Sequence, residues 1–310
     1  MSNVCKELVL DFPDPLKTID AVMHDGAVVR IRQHGDPGGP RLALSHGNGL
    51  AIDGYLPFWE PLCGHYEVIV FDFRNHGQNP THLLEHHVWP NFIRDSQVIF
   101  ETIQREFGVK RTAGVFHSLS AVTAAAFSQQ AGPRWDPLVL FDPPVYPPED
   151  HPLVRNQLGD KDDLANRAAR RTQRFKTPTD LARQFAVRLA GWVPEAYELM
   201  ARATLRRDPD VGDWVLACPR EYEAQVFRGN RNPATWNAMG RIPVAVKLIC
   251  ADPNVEGQVP AQLCAALAAA TPSLEYAMLP GSTHFLQIER PAECARLMQD
   301  FLAAQGFFTI

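Results

Sequence analysis

Four short segments hold residues whose chemistries complement one another. In GVFHSLSA (residues 114–121), Ser118 sits where an apolar run gives way to a helical pattern. A serine on a sharp strand-to-helix turn is held outward beside a helix N-terminus, whose N–H groups can stabilise a developing oxyanion. A serine there can also be an ordinary helix N-cap, so this segment alone does not define a nucleophile. In LPGSTHFLQIERP (279–291), His284 follows a further apolar run and a glycine-containing turn. A neutral imidazole so placed can take a serine proton and later return it to a leaving group. Such a pair needs a carboxylate to orient the ring. Asp252, in ICADPN, is the preferred candidate, because it ends a run between Ser118 and His284. Asp142, in LFDPP, is its rival. The fourth segment, LSHGNG (44–49), offers backbone donors beside a flexible turn. Asn48 and Leu119 N–H groups are the expected pair for an oxyanion.

These residues need a scaffold that gathers them, and the apolar runs supply one. Arg41–Ser45, Glu67–Phe71, Thr112–Phe116, Leu138–Phe141, Val244–Ile249 and Leu274–Met278 are short and apolar, as fully buried parallel strands are. Two further strands are expected at Leu8–Phe12 and Ala27–Gln33. Helical patterns fall between them at Tyr55–Leu62, Asn91–Glu106, Leu119–Gln130, Pro260–Ala270 and Ala292–Ala303. This alternation predicts an α/β protein with helices on both faces of a parallel sheet. The rhythm breaks over residues 145–240. That stretch opens on DPPVYPPEDHP and continues with helical patterns, so it reads as a helical cap inserted into a core of residues 1–144 and 241–310.

Composition narrows the function classes. The chain has 310 residues, 45% of them hydrophobic, and a net charge of −5. It can build a sizeable core and shows no basic stripe for nucleic acid. No apolar run is long enough to span a membrane. The segment MSNVCKELVLDFPDP lacks the basic-then-apolar pattern of a secretory signal, so a cytoplasmic enzyme is expected. The six cysteines, Cys5, Cys63, Cys218, Cys250, Cys264 and Cys294, show no CxxC pairing and read as reduced core residues.

Together the four segments resemble the α/β-hydrolase superfamily, in its esterase and lipase branch with a helical cap. HGNG is similar to its HGxx oxyanion segment and FDFRNHGQN (71–79) to its DxRGHGxS turn. FHSLSA is similar to its GHSMGG elbow, and PGSTHFLQIERP to its PGxGHxxxxExP ending. The resemblance spans residues 41–291. It implies an α/β-hydrolase fold with a mostly parallel eight-stranded sheet and a Ser-His-acid triad that needs no cofactor. Two departures stand out. The elbow glycines are replaced by Phe116 and Ser120, and Cys250 stands where the acid segment has glycine. A glycine is favoured in the elbow because its turn is tight.

The expected activity is cleavage of a small-molecule carboxylic ester, polyesters included, through an acyl-enzyme on Ser118. C–C bond hydrolysis, thioester or lactone cleavage and acyl transfer are the alternatives on the same triad. A non-catalytic ligand-binding role is the reading from another class, and Phe116 is its best support. No metal is expected: His82, His86 and His87 cluster in THLLEHHVW, but that loop offers no matching ligand set. Arg167, Arg170, Arg171 and Arg174 are spaced as one solvated helix face. The aromatics Phe175, Phe185, Trp192, Tyr197, Trp214, Tyr222 and Phe227 read as cap core, with one or two lining the substrate cleft.

Overall fold

The apolar runs pair side by side in a single twisted sheet. The structure, a computed structural model, describes residues 11–153, 163–229 and 234–307. Eight strands form the sheet: β1 (Lys17–Val22), β2 (Val28–Gly35), β3 (Arg41–Ser45), β4 (Glu67–Phe71), β5 (Thr112–His117), β6 (Leu138–Phe141), and, after an insertion, Val246–Cys250 and Leu274–Met278. The three short strands of the insertion are β7 (Arg174–Phe175), β8 (Leu205–Arg207) and β9 (Trp214–Leu216), so the last two strands of the main sheet are β10 and β11. Its order is β1-β2-β4-β3-β5-β6-β10-β11. The β1/β2 and β2/β4 pairs are antiparallel and all others parallel.

Every residue of β3, β4, β5 and β6 is buried. Side chains alternate between two apolar layers, as the two-residue period of a strand requires. Leu42, Leu44, Val68, Val70, Val139 and Phe141 belong to one layer, and Ala43, Ile69, Phe71, Leu138 and Leu140 to the other. Helices Trp89–Glu106, Leu119–Ala131, Val259–Ala270 and Pro291–Ala304 lie close to their expected positions.

The first strand differs from expectation. Residues 8–10 of the expected Leu8–Phe12 strand lie outside the described residues, and residues 11–12 are not in a strand. The edge strand is Lys17–Val22, in which only Ala21 is buried. It is held by the antiparallel ladder to β2, so hydropathy gives it no signal.

Between β6 and β10 the described residues contain the helices Asp163–Arg170, Pro178–Arg188, Pro194–Thr204, Arg220–Gly229 and Ala234–Met239. They also contain a small antiparallel sheet, β7-β9-β8, that the helical reading did not anticipate. Strands of two or three residues are too short to show a period. Leu181, Phe185, Trp192, Leu199 and Met200 join the apolar layer of Leu42 and Val70. The arginine face also breaks up. The helix ends at Arg170; Arg171 pairs with Glu223, and Arg174 pairs with Asp208 at 2.9 Å. Among the described residues no helix is long and apolar enough to cross a membrane. Cys218, Cys250, Cys264 and Cys294 are buried and Cys63 is half-buried, all as free thiols; Cys5 lies outside the described residues.

Candidate active site

β5 delivers Ser118 to the C-terminal end of the sheet. The residue has φ 52° and ψ −112°, a strained conformation for a side chain with a Cβ, and the helix Leu119–Ala131 begins immediately after it. The turn is closed on itself. His117 N–H donates to Ser120 Oγ and Ser120 Oγ–H donates to the His117 carbonyl, both at 2.8 Å. The hydroxyl at the position of a family glycine therefore ties the elbow. Ser118 N–H is anchored on the Phe141 carbonyl of β6 at 3.0 Å. Its side chain makes no capping bond to the helix.

Phe116 enters the elbow without blocking it. Its ring is buried and meets Trp135 and Phe71 edge-on, with centroids 5.5 and 6.2 Å away. Residue 114 is on the same face of the strand and is glycine. A Cβ there would lie 2.5 Å from Phe116 Cε2. The missing side chain at 114 provides the space for the ring at 116.

Ser118 Oγ lies 2.9 Å from His284 Nε2, and His284 Nδ1 lies 2.6 Å from Asp142 Oδ2. A carboxylate can only accept, so the proton sits on Nδ1 and donates to Asp142. That leaves the Nε2 lone pair to accept the Ser118 hydroxyl proton. Asp142 is fully buried, with φ 40°. Its second oxygen accepts Ala251 N–H at 3.2 Å, and its own N–H donates to the Ile249 carbonyl at 3.0 Å.

Asp252, the preferred acid of the sequence reading, is elsewhere. Its Oδ1 accepts Asn254 N–H and Nδ2–H, and its Oδ2 accepts Gly281 N–H, all at 2.9 Å. Those N–H donors, Gly281 first, hold its carboxyl below the usual range. The residue fastens the turn after β10 to the loop that carries His284. The register explains the correction. His117 pairs with Phe141, and Phe141 pairs with Ile249. Asp142 is one residue past that row on the strand adjacent to β5. Asp252 is three residues past it, one strand farther away.

The loop after β3 lies against Ser118. A Cβ on Gly47 would sit 3.1 Å from both Ser118 Cβ and His117 Nδ1, a tight contact that glycine avoids. Asn48 is held at its side chain, where Nδ2–H donates to the Glu223 carbonyl at 3.0 Å. Gly49 N–H donates to His76 Nε2 at 3.2 Å, and Phe73 N–H donates to His46 Nε2 at 3.1 Å. The 71–79 turn thus buttresses the loop that carries Asn48. Leu119 opens the helix, so its N–H has no intrahelical acceptor.

His117 and Tyr55 belong to this assembly, and neither was expected there. Gly47 N–H donates to Tyr55 Oη at 3.3 Å and Tyr55 O–H to His117 Nδ1 at 2.7 Å. His117 Nε2–H then donates to the His284 carbonyl at 2.8 Å. A carbonyl must accept, which fixes the His117 tautomer. Burial, then the nearby His284, push the His117 pKa well below the ordinary value. His284 N–H is held by Gln258 Oε1 at 2.8 Å. His117 had a signal in its adjacency to Ser118; Tyr55 had none. Beside His284, Phe285 meets Trp192 at 5.4 Å, and Trp192 stacks on Tyr197 at 5.7 Å. Tyr222 lies elsewhere, with its hydroxyl donating to the His82 carbonyl.

The sequence profile of the Alpha/beta hydrolase family matches residues 42–297, and the chain belongs to that family. Solved structures similar to it include E-2-(acetamidomethylene)succinate hydrolase, with a TM-score of 0.74 and 16% identity over 93% of this chain and 99% of that one. The thioesterase domain from the curacin biosynthetic pathway has a TM-score of 0.71 and 16% identity over 91% and 99%. A thermophilic esterase from Thermogutta terrifontis has a TM-score of 0.65 and 17% identity over 93% and 99%. These likenesses concern the fold. No curated protein matches the sequence.

Proposed function

We propose that the protein is a serine hydrolase that cleaves carboxylic esters through an acyl-enzyme on Ser118. The observation that carries this reading is the continuous chain Ser118 Oγ, His284, Asp142, with links of 2.9 and 2.6 Å. In the proposed reaction His284 Nε2 takes the Ser118 proton as Oγ attacks the acyl carbon. Asp142 orients the ring and stabilises the imidazolium. The Asn48 and Leu119 N–H groups receive the oxyanion, and the alcohol leaves with the proton from His284. Water, activated by the same imidazole, then releases the acid. In this reading residues 145–240 act as a cap, and Trp192 and Tyr197 border the acyl cleft through Phe285.

An esterase, a thioesterase domain and E-2-(acetamidomethylene)succinate hydrolase among the similar folds support a hydrolytic use of such a site. The test pairs a para-nitrophenyl ester series with a fluorophosphonate probe located by mass spectrometry. Ester turnover and a single adduct on Ser118 are expected, with kcat lowered by about 10⁶ in Ser118→Ala. An adduct elsewhere, or an active Ser118→Ala enzyme, refutes the assignment. Turnover confined to acyl thioesters would move the substrate class and keep the triad.

A further inference from the structure

Outside the active site, the fold brings together three groups that are far apart in sequence. His82 and His86 lie on the loop before the helix Trp89–Glu106, and the turn between β1 and β2 brings Asp25 against them. The sequence reading left these histidines without a matching ligand set, and the fold places the carboxylate of Asp25 beside them. His82 Nε2 lies 3.2 Å from His86 Nδ1, which lies 3.3 Å from Asp25 Oδ2. The three atoms are all within 4.8 Å of one another. Zinc bonds of about 2.0–2.2 Å in tetrahedral geometry place neighbouring ligand atoms about 3.3 Å apart.

From this geometry we infer a site for one divalent transition-metal ion of the zinc class, held by Asp25, His82 and His86. The proton count supports it. The His82–His86 hydrogen bond uses one proton, and the carboxylate brings none. Asp25 Oδ2 keeps its bonds from Arg74 Nη1 at 2.5 Å and Asn91 Nδ2 at 3.4 Å; the hydrogen between the two rings is the one an ion would displace. A zinc ion replaces that hydrogen when the proton moves to the far nitrogen of its own ring, so no net proton is released. The charge also suits a cation. Arg74 is the guanidinium between Asp25, at 2.5 Å, and Asp95, at 2.5 and 2.6 Å. One positive charge between two carboxylates leaves a negative charge in excess. Imidazole and carboxylate donors suit zinc, nickel and cobalt. His86 is 37% exposed at its side chain, which leaves room for a water ligand.

The ion would be structural. The loop that holds the two histidines also carries contacts from the helix Arg220–Gly229. Tyr222 O–H donates to the His82 carbonyl at 2.7 Å, and Gln225 Nε2–H donates to the Leu84 carbonyl at 2.7 Å. Zinc would lock this loop to the β1–β2 turn and so stiffen the seat of that helix.

The test uses tag-free full-length protein stripped with EDTA and dialysed, then titrated with zinc chloride by calorimetry and by thermal melting. One zinc per chain is expected, with a melting temperature that rises with zinc concentration as linkage requires. His82→Gln and His86→Gln keep the backbone contacts of the loop, and each is expected to weaken zinc by about tenfold or more. Absence of saturable binding overturns the proposal, as does unchanged affinity in both variants. Binding that survives both but is lost in Cys218→Ser would move the ion to the buried trio His76, His87 and Cys218 and also overturn it. Binding abolished by phosphonylation of Ser118 would place the ion on His284, with the same consequence.

Discussion

Lowering the pH from 7 to 5 should remove most of the stability of this protein, because five histidines are folded in their neutral form. His34, His46, His76, His87 and His117 are all buried. Desolvation pushes His34 and His46 to about 4, His76 to about 3 and His87 to about 2, and holds His117 well below its ordinary value. The contacts require this. Nitrogens of His46, His76 and His117 accept from Phe73 N–H, Gly49 N–H and Tyr55 O–H, and protonation would set donor against donor. In the unfolded chain each ring titrates near 6.5. The folded pKa lies below the unfolded one, so the unfolded state binds more protons once the pH falls below about 6.5. The stabilisation is complete above that value and is lost as pH drops. One such histidine costs about 2 kcal/mol between pH 7 and 5, and five cost about 10 kcal/mol. A domain is commonly stable by about 5–15 kcal/mol. Asp53, Asp72 and Asp95, whose carboxyls burial pushes up, act in the opposite sense and soften the fall. The assay is urea unfolding followed by tryptophan fluorescence at half-unit steps from pH 5 to 8. His87→Gln, which removes one of the five rings, should flatten the dependence by about a fifth. Unfolding free energy that stays within about 1 kcal/mol between pH 5 and 7 would refute the reasoning.

Further outcomes follow from single contacts. Asp142→Asn should lower kcat by about 10⁴, the cost of the wrong imidazole tautomer, while Asp252→Asn keeps its rate and loses a little melting temperature; the reverse result would return the acid role to Asp252. Tyr55→Phe leaves His117 Nδ1 without its donor and should cost about 1–3 kcal/mol in urea unfolding, with kcat reduced and KM unchanged. Gly114→Ala forces a Cβ to 2.5 Å from the Phe116 ring and should cost about 1–3 kcal/mol; adding Phe116→Leu should recover part of that loss, a non-additivity that independent sites do not show.

The central parallel strands β3 to β6 were legible because each is buried on both faces and so reads as an apolar run, and the helices between them were legible from their own patterns. The edge strand Lys17–Val22 was not, since only Ala21 in it is buried, and β7, β8 and β9 were not, since two or three residues are too short to show a period. Ser118 and His284 were legible from where they fall relative to strands. Tyr55 was not: its role depends on a hydroxyl reaching His117, 62 residues away in the chain. The elbow substitutions were visible as departures, but their resolution was not. Phe116 fits because Gly114 is two residues earlier on the same face, and Ser120 fits because its hydroxyl serves the backbone of His117.

The acid shows why chain order was a weak guide. Asp142 and Asp252 both precede His284, both follow Ser118 and both end strands of the sheet, so either satisfies the order Ser, Asp, His. What separates them is distance across the sheet. β5 carries Ser118, β6 is its direct neighbour, and β10 is one strand farther. Adjacent strands lie about 4.8 Å apart, so an acid on β10 must reach back over β6 to meet a ring that is 2.9 Å from Ser118. Asp142 needs no such reach: it leaves β6 one residue past the partner of His117, and its φ of 40° turns the chain there. The two prolines after it, which open the inserted stretch in the sequence, are compatible with both tasks. The turn that starts the insertion is the turn that presents the carboxylate. Asp252, freed from the ring, uses both oxygens on Asn254 and Gly281 to fix the His284 loop from the other side. Its substitution should therefore disturb the position of His284 before its protonation, which a KM and melting-temperature change without a tautomer-sized loss of kcat would reveal.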